Sequence, residues 1–409
     1  MRIAALRPLR HRDFALVWTA AMVSNVGTWM ETVAVGDLVT ARTGQAGWTT
    51  LVSAAGFLPM GLAGPIGGAI ADRVDRRRFV IVTNALHMVC AAVLTLLSAT
   101  GRASPGAVAA VIFVAGCVAG IGFPAYQAII PELVPREDLL GAVTLGQAQY
   151  NLGRVIGPAL AGIAIALGSY TWAFAINTVS FVALLVALRA LRLRTPRPEV
   201  VDDDGLWARI RTGAAAARRE PGVWSAIMLI SILALTASPF IALLPAMARV
   251  RHGGGEALTS VFVTAQGVGA VAGALVVPVL AERWGRRRLL LGGVVALVAA
   301  LALYGAAPSP VTATGALVLV GVTYINVFSG LGTVVQLRAP DALRARVLSL
   351  YFLALGVLYP VGSMVQGPLA DELGLPAVTI GGAVLLLVAV GTLWLWRRPR
   401  LDALFSSGS

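Results

Sequence analysis

The sequence predicts an all-α membrane protein: twelve transmembrane helices in two pseudo-symmetric six-helix bundles, with both termini in the cytoplasm. Three observations carry this expectation. Of the 409 residues, 58% are hydrophobic and only 12% charged, against about 25% charged in ordinary soluble domains. The apolar residues fall in runs of about 20, the length that crosses a bilayer as a helix. A charged segment in the first half also returns in the second. Asp72-Arg73 followed by Arg76-Arg77-Arg78 is matched 210 residues later by Glu282-Arg283 followed by Arg286-Arg287-Arg288.

Taken in order, the chain opens on the basic stretch MRIAALRPLRHRDF and runs into a long apolar segment. A signal peptide has a shorter core and a small-residue cleavage site, so this reads as an uncleaved first span with a cytoplasmic N-terminus. Spans 1 to 6 are placed at 14–39, 47–70, 79–100, 105–127, 141–167 and 171–191. A polar segment with Pro196, Pro198 and the acidic run Asp202–Asp204 then reads as a cytoplasmic linker. Leu206, Trp207 and Ile210 suit one short amphipathic helix on the membrane surface; a plain tether is the other reading. Spans 7 to 12 follow at 222–248, 258–281, 288–306, 311–334, 346–370 and 376–396. The expected organisation is therefore a first bundle at 1–191, a linker at 192–221, a second bundle at 222–396 and a cytoplasmic tail at 397–409.

The arginines test this topology. All 32 basic residues are arginine, and 27 of them fall in segments assigned to the cytoplasm. Arg42, Arg102, Arg249 and Arg251 fall outside, and Arg154 alone lies in the interior of a span, with Arg189, Arg288 and Arg346 at cytoplasmic span ends counted among the 27. That is the positive-inside asymmetry, and omitting one span would invert every later loop and destroy it. The net charge of +13 therefore reflects membrane topology, and nucleic acid is not an expected partner. Cys90 and Cys117 lie in apolar runs without metal or redox spacing and read as small buried side chains. His87, inside a span, reads as a buried hydrogen-bonding group. No metal, no cofactor and no phosphate-binding glycine loop is expected. A membrane enzyme lacks a plausible nucleophile–base pair here, and a sensor lacks a soluble domain.

Further echoes support a duplication. Pro131-Glu132-Leu133 answers Pro340-Asp341-Ala342, and Gly157-Pro158 answers Gly367-Pro368. Two such halves form a common transporter plan, with the substrate site near mid-membrane. At these residues the chain resembles the major facilitator superfamily. Gly68, Asp72, Arg73, Arg76 and Arg77 match its G-x-x-x-D-R-x-G-R-R loop between helices 2 and 3, with Asp75 in place of the second glycine. Glu282, Arg283, Gly285, Arg286 and Arg287 are similar to the weaker copy between helices 8 and 9, with Pro278 where the first glycine falls. Residues 24–37, 56–80 and 124–138 resemble the branch containing the enterobactin exporter and macrolide-efflux proteins. The resemblance implies an amide as the usual residue where Glu31 stands.

The resemblance implies that the charged loop latches the outward-open state. Asp72 is suited to accept from a helix N-terminus or an arginine, and Arg73, Arg76 and Arg77 to pair with acids and lipid phosphates. Such pairs bias a two-state equilibrium; simple positive-inside anchoring is the alternative, and the preferred one for Arg78 and Arg288. On span 5, Thr144, Gln147, Asn151, Arg154 and Pro158 fall at spacings of three and four and share a face. Gly153, Gly157, Pro158 and Gly162 resemble the helix 5 motif of antiporter branches, and they also suit close helix packing.

Arg154 and Glu31 are the deep charges. A charge at the bilayer centre costs at least about 2.5–3.5 kcal/mol and demands a partner, water or substrate. Glu31 lies roughly 26 Å along span 1 and Arg154 roughly 21 Å along span 5, depths compatible with pairing. Glu31 is read either as a proton-exchanging group in competition with Arg154 or substrate, or as half of a static ion pair. Asp37, expected at the outer interface, is a lesser coupling candidate. Asn25, Thr28, Trp29, Tyr126, Gln147 and Asn151 are cavity candidates in the first half, with Phe123 nearby. Gln266, Tyr324, Asn326, Tyr359 and Gln366 are their counterparts in the second. The expected function is a monomeric secondary exporter of an amphipathic small molecule by proton antiport; a lipid or lysolipid flippase, or an importer, are the alternatives.

Overall fold

The computed structural model describes residues 4–71, 73–191, 206–340 and 343–396. Residues 192–205 of the expected linker, the tail from 397, Asp72, Asp341 and Ala342 lie outside the described residues. Every regular element among the described residues is helical. A bilayer core offers no water to backbone N–H and C=O groups, so spans close their hydrogen bonds internally.

The long helices are α1 Arg12–Thr43, α2 Ala46–Ala71, α3 Arg76–Ala99, α4 Pro105–Ile129, α5 Leu139–Leu167 and α6 Tyr170–Ala190. After them come α7 Leu206–Arg219, α8 Pro221–Thr236, α9 Phe240–Ala246, α10 Glu256–Trp284, α11 Arg286–Gly305, α12 Pro310–Arg338, α13 Arg344–Leu373 and α14 Leu375–Trp396. Local chemistry sets several starts. Ser104 caps α4 ahead of Pro105, and Ser309 with Thr312 forms a capping box ahead of Pro310 on α12. Proline suits the first helical position because its missing N–H has no partner there. The polar segment before span 7 does carry a short helix, α7.

Eleven helical segments among the described residues are long and apolar enough to cross a membrane. The 32-residue α1 is not among them, because Ser24, Asn25, Thr28, Glu31 and Thr32 dilute its apolar character. Span 7, expected as one helix over 222–248, is broken. Its first part ends at Thr236, and α9 starts after Pro239, which has no N–H to continue the ladder. A π-helical turn, Met247–Arg251, completes it. Large apolar side chains such as Val179, Leu275 and Leu385 stand exposed, as suits a hydrocarbon solvent.

Two compact units are present. The first comprises Met1–Thr43, Ala55–Asp202 and Gly254–Thr264; the second comprises Gly44–Ala54, Asp203–Gly253 and Ala265–Ser409. Each thus takes a short segment from the other half of the sequence: the start of α10 in the first unit, the start of α2 in the second. In the first unit α1 packs against α5 and α6, and α3 against α4 and α6. A core of Phe14, Val17, Val80, Ile129, Leu145 and Leu188 fills the end at which α2 gives way to α3. In the second unit α11 packs against α12 and α14, and α8 against α12 and α13.

Candidate functional site

In the first unit, Glu31 lies on the face of α1 that meets α6. It is 6% exposed, and its Oε2 accepts a hydrogen bond from Asn177 Nδ2 at 2.8 Å. Asn177 is itself oriented. Ser180 Oγ donates to its Oδ1 at 3.2 Å and to its backbone carbonyl at 2.7 Å, which turns the amide nitrogen toward the carboxylate. Gly27 makes the room: a Cβ there would fall 2.5 Å from Ser180 Oγ and 2.6 Å from Asn177 Oδ1.

The expected pairing of Glu31 with Arg154 is not formed. Glu31 and Trp29 are two residues apart, roughly 160° around a helix, so one faces α6 while the other faces α5. Arg154 lies with its guanidinium carbon 5.8 Å from the centroid of the Trp29 ring. Tyr150 meets the same ring edge-on at 5.7 Å. A cation over an indole contributes about 0.5–2 kcal/mol, depending on desolvation.

The glycines of α5 set this contact. A Cβ on Gly153 would strike the Asn25 amide, and one on Gly157 would come within 2.5 Å of Trp29 Cβ and 2.8 Å of the Val26 carbonyl oxygen. Asn25 Nδ2 donates to the Gln149 carbonyl at 2.9 Å. Gln149 is buried, and Tyr126 is half-buried against the core at that end of the unit. Pro158 and Gly162 are buried on the same helix, and Gly162 faces Ser260 of α10. Gln147 is exposed. Thr28 and Asn151 bond one turn back along their own helices, to the Ser24 and Gln147 carbonyls.

Asp37, the lesser coupling candidate, is fully buried. Tyr170 Oη donates to its Oδ2 at 2.6 Å and Thr259 Oγ1 to its Oδ1 at 2.7 Å. His87, read as a hydrogen-bonding group, stacks on Phe181 at 5.1 Å.

In the second unit, two expected cavity groups are committed to backbone carbonyls. Asn326 Nδ2 donates to Leu289 O at 3.0 Å, and Gln366 Nε2 to Thr236 O at 2.8 Å and Leu235 O at 3.1 Å. The last two carbonyls are orphaned where span 7 breaks, so Gln366 completes a helix end. Tyr324 hydroxyl lies 3.0 Å from Ser238 Oγ, and its ring stacks with Phe328. Gln266 is buried, and Tyr359 hydroxyl lies 3.2 Å from Ser53 Oγ.

Two arginines of the charged loop make defined contacts within the first unit. Arg76 Nη1 donates to Glu132 Oε1 at 2.8 Å. Arg77 donates to the Leu188 and Arg189 carbonyls at the end of α6. Asp75, the departure from the glycine pattern, is the N-cap of α3 and accepts from Arg78 N at 2.8 Å. Arg73 stands exposed on the turn, and Gly68 packs near Pro124. In the second copy Gly285 turns with φ +80°, while Glu282, Arg283, Arg286 and Arg287 are exposed.

Sequence reasoning passed over Asn177, Ser180, Gln149, Tyr150, Tyr170 and Thr259. The available signal was Asn177 with Ser180, polar residues three apart inside the apolar run of span 6. Glu132 was legible only as a repeat echo.

The chain matches a family model described as transmembrane secretion effector over residues 3–408. It is 22% identical over 385 residues to macrolide efflux protein A of Streptococcus pyogenes, covering 92% of this chain and 94% of that one. It is 27% identical over 399 residues to the multidrug efflux pump Tap of Mycolicibacterium fortuitum, covering 95% and 96%. It is 27% identical over 406 residues to the enterobactin exporter EntS of Citrobacter koseri, covering 95% and 94%. Among solved structures it is similar in fold to an auto-inhibited POT family peptide transporter, with TM-score 0.75 at 12% identity, covering 95% of this chain and 97% of that one.

Proposed function

The chain belongs to the transmembrane secretion effector family of the major facilitator superfamily, a multi-pass membrane transporter rather than an enzyme, and from that premise we propose a secondary exporter. It moves an amphipathic small molecule out of the cell by alternating access, as a monomer of twelve spans with both termini cytoplasmic. Inward proton flow drives it, the membrane potential supplying about 2.3 kcal/mol per charge per 100 mV.

The single observation that carries the proton reading is the setting of Glu31. It is a buried carboxyl group in α1 whose hydrogen-bond partner is the neutral amide of Asn177. Its charge can therefore change without breaking an ion pair, while the oriented amide keeps the side chain in place. Asp37, which accepts from the Tyr170 and Thr259 hydroxyls, is the second coupling candidate. Arg154, Trp29 and Tyr150 supply a cation and two rings on the α5-facing side of α1, a surface suited to an amphipathic cargo. The similarity to macrolide, multidrug and enterobactin efflux proteins supports outward direction and a drug-like or siderophore-like molecule.

The test is reconstitution into liposomes with an imposed pH gradient and a panel of amphiphiles. Uphill flux is expected with the gradient and none without it. Folded protein that moves no amphiphile under either condition refutes the reading, and lipid scrambling in the same vesicles identifies a flippase.

A further inference from the structure

Asp371 lies near the end of α13, and its carboxylate reaches the start of α2. Oδ1 accepts from Ala46 N at 2.6 Å and Oδ2 from Gly47 N at 2.8 Å. The first N–H groups of a helix have no intrahelical partner and carry its positive end, so a carboxylate is the group best matched to them. The neighbouring residues are small where the helices meet. A Cβ on Gly47 would lie 2.9 Å from Asp371 Oδ2, and one on Gly367 would collide with Thr50 Oγ1. Farther along α2, Ser53 meets Tyr359.

Two facts separate this contact from ordinary packing. First, Gly44–Ala54 belongs to the second unit, while the rest of α2 belongs to the first. The helix is continuous across that division, so Asp371 fastens its leading turns to the second unit. Second, the repeat offers a comparison without the acid. At the 210-residue offset Thr50 corresponds to Ser260, Gly367 to Gly157, and Asp371 to Ala161. In the first unit Ser260 packs on Gly162 of α5, five residues beyond the offset position; α5 carries no acid, and the carboxylate nearby is Asp37 of α1, which accepts from Thr259. Close packing of this kind does not need an acid on the facing helix; the carboxylate of α13 adds a charge-assisted grip on the backbone of α2. Asp371 is also exposed, so water can take over its oxygens when the grip opens, which a buried acid would not allow at comparable cost.

We propose that Asp371 is a positioning residue for transport: a latch that holds the leading turns of α2 on α13 and must let go once in each cycle. The proposal rests on the alternating-access reading above, whose topology puts this end of α2 on the outer side.

The test uses the full chain in intact cells, with Cys90 and Cys117 replaced by serine and a membrane-impermeant maleimide outside. Ser53→Cys reports the α2–α13 contact and Gln45→Cys reports sidedness. Asp371→Ala is expected to raise the labelling rate of Ser53→Cys about tenfold, the scale of a lost charge-assisted hydrogen bond. Asp371→Asn, which keeps one acceptor oxygen, is expected in between and serves if the alanine variant does not fold. An unchanged Ser53→Cys rate overturns the latch. So does a parallel rise at the native, buried Cys90 in an otherwise unaltered Asp371→Ala chain, which marks general loosening. Absence of labelling at Gln45→Cys overturns the sidedness instead, and a permeant maleimide then reads the same Ser53→Cys ratio.

Discussion

At the scale of the residue, Glu31 and Asn177 form a pair whose members have separable jobs. The carboxyl group is the one whose charge can change; the amide keeps it oriented. Glu31→Gln preserves the shape and an oxygen to accept from Asn177, and it installs the amide that the family resemblance implies. The variant is expected to fold and to exchange cargo down its gradient while losing flux driven by a pH gradient. Gradient-driven uptake into everted vesicles that survives in Glu31→Gln would remove the proton role. Asn177→Ala acts differently, leaving the carboxylate buried without its donor. The cost is about 1–3 kcal/mol, read as a lower Tm in detergent; the double variant with Glu31→Gln should recover part of it, because no charge is then stranded.

At the scale of the element, α5 is a glycine-edged helix shaped to receive α1. Gly157→Ala would push a methyl group to within 2.5 Å of Trp29 Cβ, and overpacking of this size costs about 1–3 kcal/mol. A lower Tm and loss of the Trp29 environment, followed by tryptophan fluorescence, are the expected outcome. The start of α3 offers a sharper comparison. Asp75→Ala removes the N-cap and should cost about 1 kcal/mol, whereas Asp75→Gly, the residue of the family pattern, should cost only a few tenths. Equal losses in thermal unfolding would show that the Asp75 side chain is not acting as a cap.

At the scale of the whole molecule, the two charged loops are expected on one side of the membrane, as parallel halves require. Arg78→Cys and Arg288→Cys should both react with an impermeant maleimide only after the membrane is opened. Reaction of one loop from outside would mean that the number of spans between them is odd. The helical architecture was legible because every span must close its own backbone bonds in lipid, which writes each one as a long apolar run. The interruption of span 7 was less legible, although Pro239 stood in the sequence, because a proline inside a span only breaks it when neighbours such as Gln366 take up the freed carbonyls.

The amino-acid sequence by itself determined the membrane setting, the duplicated plan, the family's charged loops and the identity of the deep charges, because each is a property of composition or spacing along one chain. Only the tertiary structure decided the partners. Depth along two helices is a one-dimensional quantity, and it allowed Glu31 and Arg154 to meet. Rotation about the helix axis and the choice of neighbour sent Glu31 to Asn177 on α6 and Arg154 to Trp29. The same holds for Asp371, one of two adjacent acids at a helix end until folding brought the first N–H groups of α2 to its oxygens.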